Sequence, residues 1–286
     1  MHKTLVIAHR GASGYRPENT IEAFQLGVEQ GCDGIEFDLV ATKDQQLIIR
    51  HENELSETTN ARTAPNSIIL GESSSKICSE NLTLSQIKEL RAIERLPEQR
   101  PGSAKFDGIF TIPTFSELLN QEFIEKQILV IELKAGSHLK HLSTSIGDLA
   151  IQELLKLDSN GSNFSIVFES FDLEILLDVK KRALASNIDA KYFFLLEDAE
   201  FSHELLTIIA RDFDGLSISL GMLFRNQKWV EESHLLNLPV WVYTARAEDA
   251  DTSIEAYYEK IIQTGVDGIF ADQPDLLRRV LEDRAG

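Results

Sequence analysis

The sequence has few cysteines, few positive charges and no long hydrophobic run. Cys32 and Cys78 are the only cysteines in 286 residues, too few and too far apart for a zinc ribbon or a disulfide framework. We expect two buried thiols, which weakly favour a reducing compartment. Lysine and arginine total 28 against 46 acidic residues, a net charge of −18. Because such a surface repels phosphate backbones, nucleic acid is not expected as a partner.

No apolar run approaches the ~20 residues that a membrane helix needs. The first apolar stretch, residues 4–8, is also far shorter than the core of a signal peptide. We therefore expect no stable membrane insertion and a cytoplasmic location. A periplasmic or exported location would require that a signal peptide had been removed.

The composition is that of a globular protein with a sizeable core. Hydrophobic residues make up 43% and charged residues 26% of the chain, which excludes disorder, collagen and a coiled coil. A length of 286 residues fits two ordinary domains or one α/β barrel with insertions.

Short apolar runs alternate with longer helical patterns such as 21–30 and 115–119, the second opened by a capping box of Thr114 and Glu117. Continuous rather than alternating hydrophobicity is typical of parallel strands that helices cover on both faces. Nine runs have this character, namely 5–9, 34–40, 46–51, 128–134, 164–168, 191–196, 215–219, 239–244 and 268–271.

Chain geometry decides which of the nine strands is surplus. The link between Val40 and Leu47 is short, whereas a parallel crossover needs a dozen or more residues, so these two strands must form a hairpin. Eight strands remain, which predicts a TIM (β/α)8 barrel. Segments 31–38 and 265–272 share the frame G-x-D-G-I-x-x-D, as repeated βα units would produce.

The stretch 54–108 predicts an insertion on the barrel rim, between strands two and three. It is polar, includes serines 73–75, and has one convincing helical pattern, 84–91, opened by a capping box of Thr83 and Gln86. Since it contains too few apolar residues for an independent domain, we expect residues 1–286 to form one barrel domain.

Polar residues of the first strands suggest a site at the carboxyl end of the barrel. His9-Arg10-Gly11 closes strand one, although a single strand-end histidine is often structural. Glu36 and Asp38, two apart on a strand, face the same way. Buried in a barrel mouth they would be costly without a cation, and hard oxygen ligands select Ca²⁺ or Mg²⁺. The alternative is two carboxylates on a solvated edge.

Two further segments repeat the pattern. Glu132 and Lys134 end an apolar run at alternate positions, as a strand whose tip enters a polar site would, although a surface Glu–Lys pair has the same spacing. His51 ends the hairpin arm and could also be an ordinary strand-terminal histidine. Taken together, these charged and histidine side chains at neighbouring strand ends favour a catalytic site over independent structural roles.

The same residues belong to motifs that cover nearly the whole chain, namely the run HRGASGYRPENT at 9–20, Ala23, Phe24, Gly27, Glu36, Asp38, 42–44, His51, 112–114, 132–134, Ser170, Phe171, 265–269 and 272–274. This set resembles the glycerophosphodiester phosphodiesterase family. Segments 91–97 and 243–246 resemble its longer bacterial subfamily, which has an insertion after the second histidine and is often exported and calcium-dependent.

The resemblance implies a TIM barrel that hydrolyses small glycerophosphodiesters, such as glycerophosphocholine or glycerophosphoethanolamine, to glycerol 3-phosphate and an alcohol. A divalent cation and two cationic groups would stabilise the developing charge, while histidines move protons. The matching positions are His9 and His51 as acid and base, Glu36, Asp38 and Glu132 as ligands of one Ca²⁺ or Mg²⁺ ion, and Arg10 and Lys134 on the phosphate.

Two positions and one segment bear on rate and specificity. Trp241 would contact the glycerol or the head group, or else pack in the core. Glu52 stands where the family usually has Asp after the second histidine, so the orientation of His51 is in question. The segment 241–244 replaces a Trp-Thr-Val-Asn block of the short form, which leaves the leaving alcohol open.

Other functions remain open at this point. The same chemistry would suit a lysophospholipid, a teichoic-acid glycerophosphate or a phosphoinositol diester. A catalytically weak barrel that only binds phosphodiesters is the alternative from another class, and the complete set of site residues argues against it. The sequence leaves open the nucleophile, which is water or the neighbouring glycerol hydroxyl, the division of acid and base roles, and the oligomeric state.

Overall fold

The structure is a computed structural model and describes residues 4–64, 76–134, 144–157 and 163–284. Its strands form one sheet. They are β1 (Leu5–Ala8), β2 (Gly34–Ala41), β3 (Leu47–Ile49), β4 (Ile128–Leu133), β5 (Ser165–Ser170), β6 (Lys191–Leu196), β7 (Gly215–Ser219), β8 (Val240–Ala245) and β9 (Gly268–Ala271).

Eight of these strands are parallel and close into a barrel. The order is β1-β9-β8-β7-β6-β5-β4-β2-β3, and β1 also pairs with β2, which closes the ring. Ile7 lies opposite Gly34 on one side and Phe270 on the other. The predicted (β/α)8 barrel is confirmed.

The extra strand β3 pairs antiparallel with β2, as the short link requires. Leu39 lies opposite Ile49, and the Arg50 N–H donates to the Asp38 carbonyl at 3.0 Å. The predicted hairpin is confirmed, and it returns the chain so that His51 follows directly after the residue bonded to Asp38.

Helices cover the outside of the barrel, and none of those described is long and apolar enough to cross a membrane. Both predicted capping boxes form. The helices are α1 (Ile21–Glu29), α2 (Leu84–Ile87), α3 (Phe115–Leu119), α4 (Ile146–Leu154), α5 (Leu173–Ala185), α6 (His203–Asp212), α7 (Leu220–Arg225), α8 (Lys228–Leu235), α9 (Ile254–Ile262) and α10 (Pro274–Asp283).

The predicted helix 84–91 is too long by one turn, because α2 ends at Ile87. Beyond it the chain is drawn into extended pairing. The Arg91 N–H donates to Asn60 Oδ1 at 2.8 Å, and Arg91 forms a bridge with Thr111. These contacts satisfy the backbone outside a helix, so the helical pattern is overridden by tertiary pairing.

The insertion packs on the face of the hairpin that carries Val40 and Ile48, and it shares an apolar cluster with that face. Serines 73–75 lie outside the described residues. The expectation of two buried thiols holds for Cys32 but not for Cys78, which is partly exposed where it bridges to Glu54. We infer that the insertion folds against the barrel rather than alone. The cluster consists of Val40, Ile48, Leu55, Ala61, Ile77, Leu82, Ile87, Leu90, Ala92 and Ile112.

Inside the barrel, an apolar layer supports a polar one. Residues two apart on a strand face the same side, so each apolar side chain lies below the residue two positions later. Ile7 precedes His9, Val130 precedes Glu132, and Phe270 precedes Asp272. The apolar layer contains Ile7, Val130, Val167, Phe193, Trp241 and Phe270.

Two glycines make room for the largest rings of this layer. A Cβ at Gly215 would lie 2.2 Å from Phe193 Cζ, and one at Gly268 would lie 2.7 Å from Trp241 Cδ1. Small residues on β7 and β9 therefore complement large ones on β6 and β8.

We expect Gly215→Ala to lower the free energy of unfolding by about 1–3 kcal/mol, because the added methyl group overpacks the lumen. Gly102→Ala is the matched control, since no atom lies within 4 Å of its added Cβ, and its stability should change by less than about 1 kcal/mol. Urea unfolding of both variants measures this. Equal stability of the two variants would show that the Phe193 ring moves aside at no measurable cost.

Candidate active site

Two histidines lie at the carboxyl-terminal mouth of the barrel, each with a carboxylate on Nδ1. His9 Nδ1 is 2.6 Å from Asp272 Oδ1, which follows β9. His51 Nδ1 is 2.6 Å from Glu52 Oε1. The longer Glu52 side chain thus reaches the ring of His51. In both rings Nε2 is the nitrogen that no carboxylate engages, and the Thr244 hydroxyl lies 3.5 Å from Nε2 of His9.

The surroundings of His9 hold it neutral near pH 7. Burial and the charge of Arg10 lower its pKa to about 4, although Asp272 opposes them. Burial alone would raise the pKa of Asp272, but His9, Arg100 and Arg246 keep it below its ordinary value. The ionised Asp272 can only accept, so the proton of neutral His9 is on Nδ1 and Nε2 carries a lone pair.

Three buried glutamates converge in the mouth. Glu36, Glu132 and Glu169 each place a carboxylate oxygen within 4.8 Å of the others. Burial, followed by the charge of Asp38, raises the pKa of Glu36 well above its ordinary value. Burial also raises the pKa of Glu132 and, together with the charge of Glu132, that of Glu169. The three groups therefore disfavour one another's ionisation, as carboxylates in a cation site do.

Asp38 has different neighbours from those of the three glutamates. Its Oδ1 is 2.8 Å from Lys134 Nζ, and its Oδ2 accepts from Asn19 Nδ2 at 2.8 Å and lies 3.4 Å from Arg10 Nε. Burial alone would raise the pKa of Asp38, but Lys134, His51 and Arg10 together hold it well below its ordinary value. Lys134 also donates to Glu132 Oε1 at 2.6 Å.

A tight turn after β1 aims Arg10 into the mouth. Arg10 has a φ of +54°, and its N–H donates to Glu36 Oε2 at 2.8 Å. Gly11 follows with a φ of +82°, and a Cβ there would lie 2.5 Å from the carbonyl carbon of Ala23. Only glycine permits this approach to α1, so Gly11 allows the turn to pack against the helix.

Two arginines of the insertion contact the carboxylates that are bonded to the histidines. Arg95 donates to both oxygens of Glu52, at 2.9 and 2.7 Å, and to both oxygens of Glu18, at 2.9 Å each. Arg100 Nη2 lies 2.5 Å from Asp272 Oδ2. Glu18 in turn accepts from Arg10 at 3.1 Å, so this network joins His51 to the arginine predicted to bind the phosphate.

The structure brings together most of the predicted residues, but not Trp241. His9, Arg10, Glu36, Asp38, His51, Glu132 and Lys134 lie at the mouth, at the distances given above. The Trp241 ring lies one layer lower, 4.2 Å from Phe193 and 5.9 Å from Phe270 between centroids, and only 4% exposed. Trp241 therefore packs in the core, which was the alternative to contact with the substrate. Tyr243 takes the inward position above it.

Sequence reasoning missed Glu169 because the predicted fifth strand stops at Phe168, whereas β5 continues to Ser170. Val167 and Glu169 repeat the spacing of Val130 and Glu132, and Glu132 lies opposite Glu169 in the sheet. A charged residue two positions after an inward valine was the available signal.

Comparison with known proteins supports one family. The model described as "Glycerophosphoryl diester phosphodiesterase family" matches residues 9–276. A glycerophosphodiester phosphodiesterase of Caldanaerobacter subterraneus subsp. tengcongensis is 34% identical over 282 residues, covering 96% of each chain. Another, from Bacillus subtilis, is 27% identical over 281 residues, covering 97% of this chain and 86% of the relative.

Solved structures share the fold. A phosphodiesterase of Oleispira antarctica, in complex with the product sn-glycerol-3-phosphate, has a TM-score of 0.72 at 21% identity and covers 97% of this chain and 96% of its own. A protein from Silicibacter pomeroyi has a TM-score of 0.77 at 22% identity, covering 98% and 94%.

We expect Glu18→Gln to lower the free energy of unfolding at pH 7 by about 3–5 kcal/mol, because Arg10 and Arg95 lose a buried partner. Burial alone would raise the pKa of Glu18, but these arginines hold it below its ordinary value. Its stabilisation is therefore present above the ordinary pKa of ~4.3 and lost as the pH falls below it.

The difference between Glu18→Gln and the wild type should accordingly shrink between about pH 5 and pH 3 in urea unfolding. The exposed Glu98 on the insertion provides the control, Glu98→Gln. A stability difference that does not change with pH would contradict an ionic role for Glu18.

Proposed function

The chain belongs to the glycerophosphoryl diester phosphodiesterase family and is a glycerophosphodiester phosphodiesterase, and from this premise we propose that it hydrolyses small glycerophosphodiesters with one divalent cation and two histidines. The products would be glycerol 3-phosphate, which the Oleispira antarctica structure holds as product, and a free alcohol. The observation that carries the proposal is the group of buried carboxylates beside two histidines that are each oriented by a carboxylate.

The charge of the mouth fits a divalent cation. When its four buried carboxylates are all ionised, their negative charge exceeds the positive charge of the nearby Arg10 and Lys134 by two. Uncompensated buried charge is costly, and oxygen ligands suit Ca²⁺ or Mg²⁺. The ligands would be Glu36, Glu132 and Glu169. Asp38, also predicted as a ligand, has partners on both oxygens, namely Lys134 on Oδ1 and Asn19 and Arg10 on Oδ2, whereas Glu132 meets Lys134 through Oε1. The cation would stabilise charge that develops on the phosphoryl oxygens.

The cationic side chains bind the phosphate in this proposal. Arg10 Nε makes no hydrogen bond among the described residues, which leaves a buried donor for an anionic oxygen. Lys134, on the other side of Asp38, would bind a second oxygen. Both cations are held by carboxylates, so their positions are fixed before substrate arrives.

The histidines move the protons. His9 is neutral with a lone pair on Nε2, which suits a base that takes the proton of the attacking hydroxyl as the new P–O bond forms. Attack by water gives glycerol 3-phosphate directly, whereas attack by the neighbouring glycerol hydroxyl gives a cyclic phosphate that water must then open. His51 would then donate a proton from Nε2 to the leaving alkoxide as the scissile P–O bond breaks. Glu52 Oε1 lies 2.6 Å from Nδ1 of this ring and fixes its orientation, so that Nε2 is free to donate to the leaving group.

Removal of divalent cations should abolish the release of glycerol 3-phosphate from glycerophosphocholine, and Ca²⁺ or Mg²⁺ should restore it.

Glu132→Gln and Glu169→Gln should each weaken cation binding in calorimetry by at least about tenfold. Glu94→Gln changes a buried carboxylate of the insertion and serves as the control. Full turnover after exhaustive chelation would overturn the metal role. A large loss of stability in metal-free Glu132→Gln would instead assign Glu132 to a structural ion pair with Lys134.

His9→Ala and His51→Ala should each lower kcat by roughly 10²–10⁴-fold. A nitrophenyl ester needs little protonation of its leaving group, so it should restore His51→Ala and leave His9→Ala slow. The exposed His203 on α6 provides the control, His203→Ala. Equal restoration of both variants, or of neither, would show that the acid and base roles are wrongly divided.

The substrate itself is tested with a panel of diesters at fixed metal concentration. Glycerophosphocholine and glycerophosphoethanolamine should be turned over with higher kcat/KM than a lysophospholipid or glycerophosphoinositol. A preference for lysophospholipid would instead identify lysophospholipid as the substrate of the same site.

A further inference from the structure

We infer that Arg95 and Arg100 are positioning residues through which the insertion aligns both histidines, an inference that rests on the proposed two-histidine function. Each arginine grips the carboxylate that holds one histidine ring. Neither arginine touches the histidine itself, so each acts through Glu52 or Asp272.

Arg95 fixes the carboxylate behind His51. It donates to both oxygens of Glu52, one of which is also 2.6 Å from His51 Nδ1. The planar guanidinium matches a carboxylate in two-point contact, which sets the rotation of the carboxylate as well as its position. The other side of Arg95 is held by Glu18, which also binds Arg10. Movement of Arg95 would therefore disturb one proton-transfer group and one phosphate-binding group.

Arg100 supports the carboxylate behind His9 through a single contact. Asp272 uses Oδ1 for His9 and Oδ2 for Arg100, so its two oxygens are divided between the histidine and the insertion. Arg100 is 6% exposed, and its position is fixed by Glu248 Oε1 at 2.6 Å and by the Ser13 carbonyl at 3.1 Å. Arg246 Nε also lies 3.2 Å from Asp272 Oδ2, but from the barrel side.

The two arginines belong to one braced loop. Arg100 N–H donates to the Leu96 carbonyl at 2.8 Å, and Glu94 N–H donates to Asp107 Oδ1 at 2.7 Å. Because Arg95 and Arg100 are five positions apart in this loop, a single rigid segment contacts the supports of both histidines. Anchoring of the insertion alone would not require contacts with Glu52 and Asp272, the two carboxylates that hold the histidines.

The test compares Arg95→Gln and Arg100→Gln with Arg91→Gln. Arg91 lies in the same insertion and donates to the backbone carbonyls of Lys88 and Leu90, so its loss probes insertion stability alone. We expect kcat on glycerophosphocholine to fall roughly 10- to 100-fold in Arg95→Gln and Arg100→Gln. The KM of these two variants should change less than about threefold, and Arg91→Gln should retain the wild-type kcat. All variants are measured at a temperature well below their unfolding midpoints.

A second readout separates positioning from structure. With a nitrophenyl leaving group, Arg95→Gln should recover more activity than Arg100→Gln, because Arg95 supports the proposed acid. Proton NMR should show the hydrogen-bonded Nδ1–H signal of His9 altered in Arg100→Gln and that of His51 altered in Arg95→Gln, with His9→Ala and His51→Ala giving the assignments.

Retention of kcat within twofold by both arginine variants, or losses no larger than in Arg91→Gln, would overturn the inference. Unaltered Nδ1–H signals in both variants would overturn it as well, and this readout needs no turnover. Failure of the wild type to release glycerol 3-phosphate in the presence of metal would instead overturn the proposed function.

Discussion

Negative charge buried at the barrel mouth is the constraint on which the rest of this structure depends. Four carboxylates emerge from neighbouring strands above an apolar layer, where water cannot screen them. Burial pushes three of them toward the protonated state, while Lys134 and its neighbours keep Asp38 ionised. A protein tolerates this arrangement only with cations nearby, and the chain supplies Arg10 after β1 and Lys134 after β4.

The same constraint explains why the histidines differ. His9 is buried beside Arg10, so burial and a cation favour its neutral form despite Asp272. His51 sits on the hairpin arm beside Glu52, with the charge of Asp38 acting on it. Two rings with similar hydrogen bonds thus have different charged neighbours.

The barrel could be predicted from sequence because each parallel strand is a short apolar run and the hairpin follows from a short link. Most of the mouth could be predicted too, because inward positions repeat every two residues. Glu169 was missed by one strand boundary, and of the two alternatives for Trp241 the structure has the ring packed in the core. The network of Arg95 and Arg100 could not be predicted at all, since Arg95 lies 77 positions from Glu18 and Arg100 lies 172 from Asp272. Only the folded chain brings such pairs together.

The central claim is that the buried glutamates repel one another's charge until a divalent cation binds among them. Calorimetric titration with Ca²⁺ or Mg²⁺ in buffers of different ionisation enthalpy measures the protons exchanged on binding. The account predicts one ion per chain and a net release of protons at neutral pH, because binding requires ionised carboxylates. Binding without proton release, or no binding in wild-type protein, would contradict it.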